Sequence, residues 1–319
     1  MRIDLTQTAA LLHGAQSILF LTHANPDGDT LGAAYALALA LQGLGKQCAV
    51  RCPEEIPAPY AFMQEALPIQ AFTPQLIVAA DIAVPELLGN LRQEYEGKID
   101  LCIDHHPSNG LYAAQTLLYP EAAAACEAVY DVLNALEAPI TPVIAGCLYA
   151  GISTDTGCFR YASTTAQTHR ITAQLMDLGA DTPTLNRRFF ETKRLSALQL
   201  ERLVVGSLQM HCGGRCAMMC ITQEMLRESG AVPAQTEGLS GLPREIEGVL
   251  VGAMLKEQPG GEYRVSLRTH APLDACAICA VFGGGGHARA AGCTIRESAE
   301  TTQELLLAAI TDALRQVES

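Results

Sequence analysis

Three residues that can hold a divalent cation, His23, Asp27 and Asp29, fall within seven positions just behind the apolar run "SILFLT" at 17–22. Asp81 follows "LIVAA" at 76–80 directly, and the triplet Asp104, His105, His106 follows "IDLCI" at 99–103. Asp155, in "GISTDTG", comes after the apolar segment "PVIAGCLYAGI", where small residues and Gly157 allow a sharp turn. Taken singly, each signal is weak. "NPDGD" reads as a turn with a helix N-cap at Asp29 or Thr30, His23 as a packed strand-end histidine, and "DHH" as a solvated turn. Taken together they deliver acids and histidines behind three separate apolar runs. Crowded carboxylates repel, and burying them unpaired costs several kcal/mol by order of magnitude. Divalent cations remove that cost. Mixed His/Asp ligation without thiolate suits Mn²⁺, with Mg²⁺, Co²⁺ or Fe²⁺ also open, better than a structural zinc. The ligands suffice for two ions, which lie about 3.5–4 Å apart when they act as a phosphoryl-transfer clamp.

The elements that must position these residues are short apolar runs, also including "QCAVRC" at 47–52, separated in several places by helix-like stretches such as 30–44. Alternation of this kind predicts an α/β fold with a doubly wound, mainly parallel sheet, in which ligands bind beyond the C-terminal strand ends. After Pro183 the texture changes, and "RRFFETKRLSALQLERLVV" predicts a charged amphipathic connecting helix. The expected organisation is a catalytic domain over 1–185, a linker helix over 186–204, and a smaller α+β domain over 205–319. "CAMMCIT", "GVLVGAML" and "EYRVSLRT" read as strands of that second domain.

Composition narrows the function classes. Of 319 residues, 49% are apolar and 17% charged, which fits two folded domains rather than disorder. The net charge of −13 is unevenly placed: 1–185 holds 7 Lys+Arg against 19 Asp+Glu, whereas 186–319 holds 14 against 15. An acidic half that handles an anion needs bound cations. The nearly neutral half suits a groove for a short ligand and lacks the excess of a long-duplex binder. No apolar run reaches the roughly 18 residues of a membrane span. The opening "MRIDLTQTAA" does not read as a secretory signal, so the expected location is the cytoplasm. The twelve cysteines are then expected as reduced thiols, Cys212, Cys216 and Cys220 in or beside one strand, and the CxxC pair Cys276 and Cys279 as core rather than zinc ligands.

With "THANPDGDTLGA", "AADIA", "CIDHHPSN", "GISTDTGCFRY", "EGLSGLPREIEGV", "VSLRT" and "FGGGGHARAAG" in this order, the chain resembles the DHH phosphoesterases, in particular those whose second domain ends in a "GGGH" motif. Among these it is most similar to the bacterial oligoribonuclease and pAp phosphatase type. The resemblance implies His23 and Asp27 at a first metal, Asp29, His105 and Asp155 at a second, and Asp81 bridging both. It implies His106 facing the substrate phosphate as general acid or charge stabiliser, with Asp104 behind it, and in-line attack by a water held between the ions. It further implies that Arg268, His287 and the glycines Gly284, Gly285 and Gly286 hold the terminal nucleotide; "ARAAG" is expected to begin a helix whose N-terminus favours an anion, with Arg289 as a weaker addition. The expected substrates are RNA or DNA oligonucleotides of two to about five nucleotides and pAp, which would bridge the two domains. Hydrolysis of c-di-AMP or linear dinucleotides is the alternative; pyrophosphate hydrolysis and a non-catalytic nucleotide-binding regulator are less favoured. A homodimer stays open. Cys126 stands where many relatives carry Thr or Ser, which puts a polar contact there in question.

Overall fold

The computed structural model describes residues 1–236 and 238–318. The chain forms two compact units, Met1–Thr192 and Lys193–Ser319. The first runs α1 (Leu5–Gly14), β1 (Ser17–Leu21), α2 (Gly28–Gly43), β2 (Gln47–Arg51), α3 (Ala61–Ala66), β3 (Leu76–Ala80), α4 (Arg92–Tyr95), β4 (Leu101–Asp104), β5 (Gln115–Leu118), α5 (Ala125–Ala135), α6 (Pro142–Asp155), α7 (Ala166–Asp177) and α8 (Thr182–Asn186). Its five strands pair in the order β2-β1-β3-β4-β5, every pair parallel. A parallel sheet covered on both faces needs strands apolar on both sides, and all five residues of β1 are buried. The apolar runs around β1 to β4 were legible for this reason. Strand β5, "QTLL", has no comparable run and was not anticipated.

Three helices close on one another where the site forms. A Cβ on Gly28 would stand 2.3 Å from Thr154 Oγ1, and one on Gly32 would stand 2.4 Å from the Cys147 carbonyl oxygen. Only glycine lets α2 press so tightly against α6. That contact brings Asp29, in the first turn of α2, to the level of Asp155, the last residue of α6. The N-cap of α2 is Asp27, whose carboxylate accepts from the N–H groups of Asp29 at 3.0 Å and Thr30 at 3.2 Å. This corrects the placement of the cap on Asp29 or Thr30. One residue therefore both starts the helix and enters the cluster.

The second unit runs α9 (Leu195–Gly206), β6 (Gln209–His211), β7 (Cys216–Ile221), α10 (Gln223–Ser229), β8 (Val251–Glu257), β9 (Tyr263–Thr269), α11 (Ala275–Ala280), β10 (Gly285–His287), β11 (Ala290–Ile295) and α12 (Ala299–Glu318). The strand order is β10-β11-β9-β8-β7-β6, with β7 and β8 parallel and the other pairs antiparallel. Tyr263, Val265 and Leu267 of β9 share a core with Leu306, Ile310 and Leu314 of α12, while Arg264, Ser266 and Arg268 alternate to the other face.

Two local expectations are corrected. The single connecting helix is two elements, a π-helical turn Arg187–Glu191 and then α9. Phe189 of the turn stacks on Tyr60 at 5.2 Å and Arg188 lies over the Phe62 ring at 5.2 Å, so this piece packs in the first unit. Thr192 Oγ1 closes the turn by donating to the Arg187 carbonyl at 2.8 Å, whereas Leu200 and Val204 of α9 pack with Met219 and Ile221 in the second. Competing cores split the stretch. The second correction concerns "ARAAG": no helix starts there. Gly286 pairs with Ala291 and His287 with Ala290 in an antiparallel hairpin, so the segment continues into strand β11.

Candidate metal centre

The parallel sheet delivers its site residues at the C-terminal strand ends. Asp81 follows β3 with a φ of +58°, left-handed backbone that a non-glycine residue seldom adopts. Its N–H still donates to the Ile103 carbonyl at 2.9 Å, so the sheet ladder holds the backbone while the turn redirects the side chain. Asp81 is 3% exposed. Its Oδ2 lies 3.7 Å from His23 Nε2 and its Oδ1 lies 3.6 Å from His105 Nε2. One carboxylate thus faces two imidazoles with different oxygens.

Both imidazoles are oriented from behind. His105 Nδ1 lies 3.1 Å from the Ala122 carbonyl and His23 Nδ1 lies 2.9 Å from the Ala24 carbonyl. A carbonyl only accepts, so Nδ1 carries a hydrogen and Nε2 is the ring atom turned into the cluster, the orientation that metal-bound histidines require. His23 Nε2 is also 3.6 Å from Asp27 Oδ1, and His105 Nε2 is 3.3 Å from Asp155 Oδ2 and 3.8 Å from Asp29 Oδ2. Asp29, fully buried, accepts from the N–H groups of Ala125 at 2.6 Å and Cys126 at 2.9 Å at the start of α5. Because the backbone of Cys126 makes this contact, it does not depend on a hydroxyl side chain there.

Three overlapping sets of ligand atoms result, each within 4.8 Å: His23, Asp27, Asp81; Asp29, His105, Asp155; and Asp81, His105, His106. The six residues expected around two cations therefore lie together, and His106 joins them. Among the described residues, Asp81 Oδ1 and His105 Nε2 are buried without a hydrogen-bond partner. Such orphans are costly unless something else fills the space, and a divalent cation fits both atoms and the surrounding oxygens. No such group among the described residues contains cysteine, and every cysteine is a free thiol.

Protonation shows the same electrostatic problem. Burial, followed by the charges of Asp81 and Asp155, raises Asp29 well above the usual carboxylate range. Burial also raises Asp155 to about 7, with Asp81 and Asp27 adding and His105 opposing. For His23, burial works against the charge, but hydrogen bonds to Asp27 and Asp81 overcome it and raise the ring to about 10. His106 is raised to about 11, first by its bond to Asp104 and then by Asp81. Without a cation the cluster is held by protons.

Behind His106 stands a support that sequence reading named only in part. Asp104, at the end of β4 and fully buried, accepts at Oδ1 from His106 Nδ1 at 2.8 Å and from the N–H groups of His105 at 2.7 Å and His106 at 3.2 Å. Its Oδ2 accepts from the side-chain amide of Asn109. Asn109 was missed as a functional residue; its one signal was its place in "DHHPSN".

In the second unit, Arg268 reaches the Leu267 carbonyl at 3.0 Å and Ser240 Oγ at 3.3 Å. His287 closes β10 and is exposed. The glycines differ in kind. A Cβ on Gly284 would stand 2.3 Å from the Gly292 carbonyl oxygen, and one on Gly286 would stand 2.6 Å from that of Ala290, whereas one on Gly285 would meet nothing within 4 Å. Gly284 and Gly286 are demanded by the hairpin itself. Arg289 is exposed and donates to the Leu273 carbonyl.

Comparison with known proteins adds an independent line. Residues 17–152 match the DHH family, N-terminal domain, and residues 217–316 the DHHA1 domain. The chain is 30% identical to the bifunctional oligoribonuclease and PAP phosphatase NrnA of Thermus thermophilus over 88% of this chain and 84% of that protein. It is 24% identical to the protein of the same name from Bacillus subtilis, over 92% of this chain and 93% of that protein. Among solved structures, an exopolyphosphatase-related protein from Bacteroides fragilis superposes with a TM-score of 0.88 at 21% identity, covering 99% of this chain and 97% of that one.

Proposed function

The chain belongs to the DHH family of phosphoesterases, and on that premise we propose that it hydrolyses oligonucleotides of two to about five nucleotides to mononucleotides and removes a phosphate from pAp. The observation that carries the proposal is the convergence of His23, Asp27, Asp29, Asp81, His105 and Asp155 around buried ligand atoms that lack protein partners. His23 and Asp27 would hold one divalent cation, Asp29, His105 and Asp155 a second, and Asp81 both; oxygen and imidazole donors without thiolate favour Mn²⁺, with Mg²⁺ or Co²⁺ as substitutes. When bound, such ions neutralise phosphate charge and lower the pKa of water.

The chain's own residues supply the rest. Hydrolysis forms a bond from a water oxygen to phosphorus and breaks the ester bond in line with it, so the departing oxygen needs a proton. His106 would give one. Asp104 holds its Nδ1, leaving Nε2 on a side chain 39% exposed, where a substrate can reach it. Arg268, His287 and the open backbone at Gly285 bind the nucleotide, the guanidinium by a charge-assisted bond to phosphate. The names of the Thermus and Bacillus relatives support both substrate classes.

The test is release of product from pAp, pApA, c-di-AMP and pyrophosphate, side by side, with and without Mn²⁺. Turnover of pAp and pApA that requires the cation is expected. Turnover of c-di-AMP or pyrophosphate alone, or none at all, would overturn the proposal.

A further inference from the structure

His106 Nδ1 has two carboxylates to choose from. Asp104 Oδ1 is 2.8 Å away and Asp81 Oδ1 is 3.3 Å away. The choice matters because Asp81 Oδ1 is the buried, unpartnered oxygen that also faces His105. If the His106 hydrogen went to Asp81, it would occupy an oxygen that the cation cluster needs. Something must therefore hold Asp104 in the competing position.

The residue that does so is Asn109. Its N–H donates to the His106 carbonyl at 3.0 Å, and its Oδ1 accepts from the Leu111 N–H at 2.8 Å, fixing a turn in which Leu111 has a φ of +52°. With backbone and carbonyl oxygen both tied, the amide nitrogen points inward to Asp104 Oδ2, with the Ile82 carbonyl at 3.4 Å beyond it. Among the described residues it is the one side-chain donor to that oxygen. Asp104 Oδ1 takes three hydrogens only while Oδ2 is anchored; freed, this buried carboxylate would rotate toward other donors and loosen its bond to His106.

We propose that Asn109 is a positioning residue: through Asp104 it commits the His106 hydrogen away from Asp81, which keeps Asp81 Oδ1 open to cations and aims His106 Nε2 at the departing oxygen. This rests on the proposed function for its catalytic half only. Two variants separate positioning from folding. Asn109→Ala removes the amide and the turn acceptor together; Asn109→Ser keeps a hydroxyl that can accept from the Leu111 N–H but is too short to reach Asp104.

Both variants are compared with the unchanged chain in three measurements. Mn²⁺ binding by calorimetry should weaken about 10-fold or more. In the cation-free protein, long-range ¹⁵N–¹H NMR of the His106 ring should show a changed Nδ1 environment. For pAp, kcat should fall about 10- to 100-fold with KM nearly constant, because the nucleotide contacts are elsewhere. Unchanged Mn²⁺ affinity and ring spectrum in folded Asn109→Ser would overturn the proposal, as would a loss confined to KM. Should the unchanged chain fail to hydrolyse pAp, the function is wrong, while the binding and NMR measurements still decide the role of Asn109.

Discussion

On the proposed function, the two units would meet an anion by opposite means. In the first, charge is concentrated: buried carboxylates and imidazoles surround atoms that lack protein partners. In the second, bulk is removed: the β10–β11 hairpin presents bare backbone beside Arg268. Buried charge is unforgiving, because each group is held against its neighbours and loss of one leaves the others uncompensated. Bare backbone is forgiving wherever no atom crowds it. The first unit should therefore govern the chemical step and cation binding, and the second should govern substrate affinity.

The largest effect expected is from Asp81→Ala. Losing the one carboxylate that, among the described residues, faces both His23 and His105 should lower kcat by about 1000-fold or more, a scale typical of removing a key electrostatic group, and steady-state kinetics on pAp would show it. If Arg268→Ala caused an equal loss of kcat, the contrast between the units would collapse.

Next comes stability. Saturating Mn²⁺ at about 100 times its dissociation constant should stabilise the fold by roughly 2.7 kcal/mol, seen as a rise of several degrees in Tm by calorimetry, reversed by a chelator and absent in Asp81→Ala. The rise should grow from pH 6 to pH 8. Asp29 and Asp155 are raised carboxyls, Asp155 to about 7, so the cation-free fold loses stability as pH climbs from the ordinary carboxylate range through that value. His23 and His106 act in the same direction: their stabilisation is complete below about 6.5 and declines as pH rises toward about 10 and 11. A cation displaces these protons and restores what is lost.

Smaller effects distinguish residues within the second unit. Arg268→Ala should raise KM for pAp about 10-fold with kcat within a factor of three, the weight of one charge-assisted bond. Gly284→Ala should lower stability by about 1–3 kcal/mol, since its Cβ collides with the Gly292 carbonyl, whereas Gly285→Ala should leave Tm unchanged and weaken substrate binding. A matching loss of Tm in both glycine variants would show that the run serves only to fold the hairpin.

The fold and the site are written into the sequence to different depths in different places, for physical reasons. Strands β1, β3 and β4 announce themselves because a doubly covered parallel sheet requires unbroken apolar runs, and the acids at their ends stand out by contrast. Asp29 and Asp155 stood out as ligand candidates and the family resemblance paired them, but what brings them together, the close approach of α2 and α6 at Gly28 and Gly32, was not legible. Backbone partners are silent in sequence too: the Ala122 carbonyl behind His105 and the Ala125 N–H on Asp29 belong to residues whose side chains say nothing. "RRFFETKRLSALQLERLVV" misled because its periodicity suits a helix, while Phe189 and Leu200 belong to two different cores. "ARAAG" misled because small residues suit a helix as well as a hairpin packed against glycine.

The central claim is that one carboxylate and five flanking side chains hold a pair of divalent cations. Anomalous diffraction at the manganese edge from crystals soaked in Mn²⁺ tests it most directly. Two peaks are expected, one beside His23 and Asp27, the other beside Asp29, His105 and Asp155, with Asp81 touching both. Peaks elsewhere, or none in an enzyme fully active under the same conditions, would contradict it.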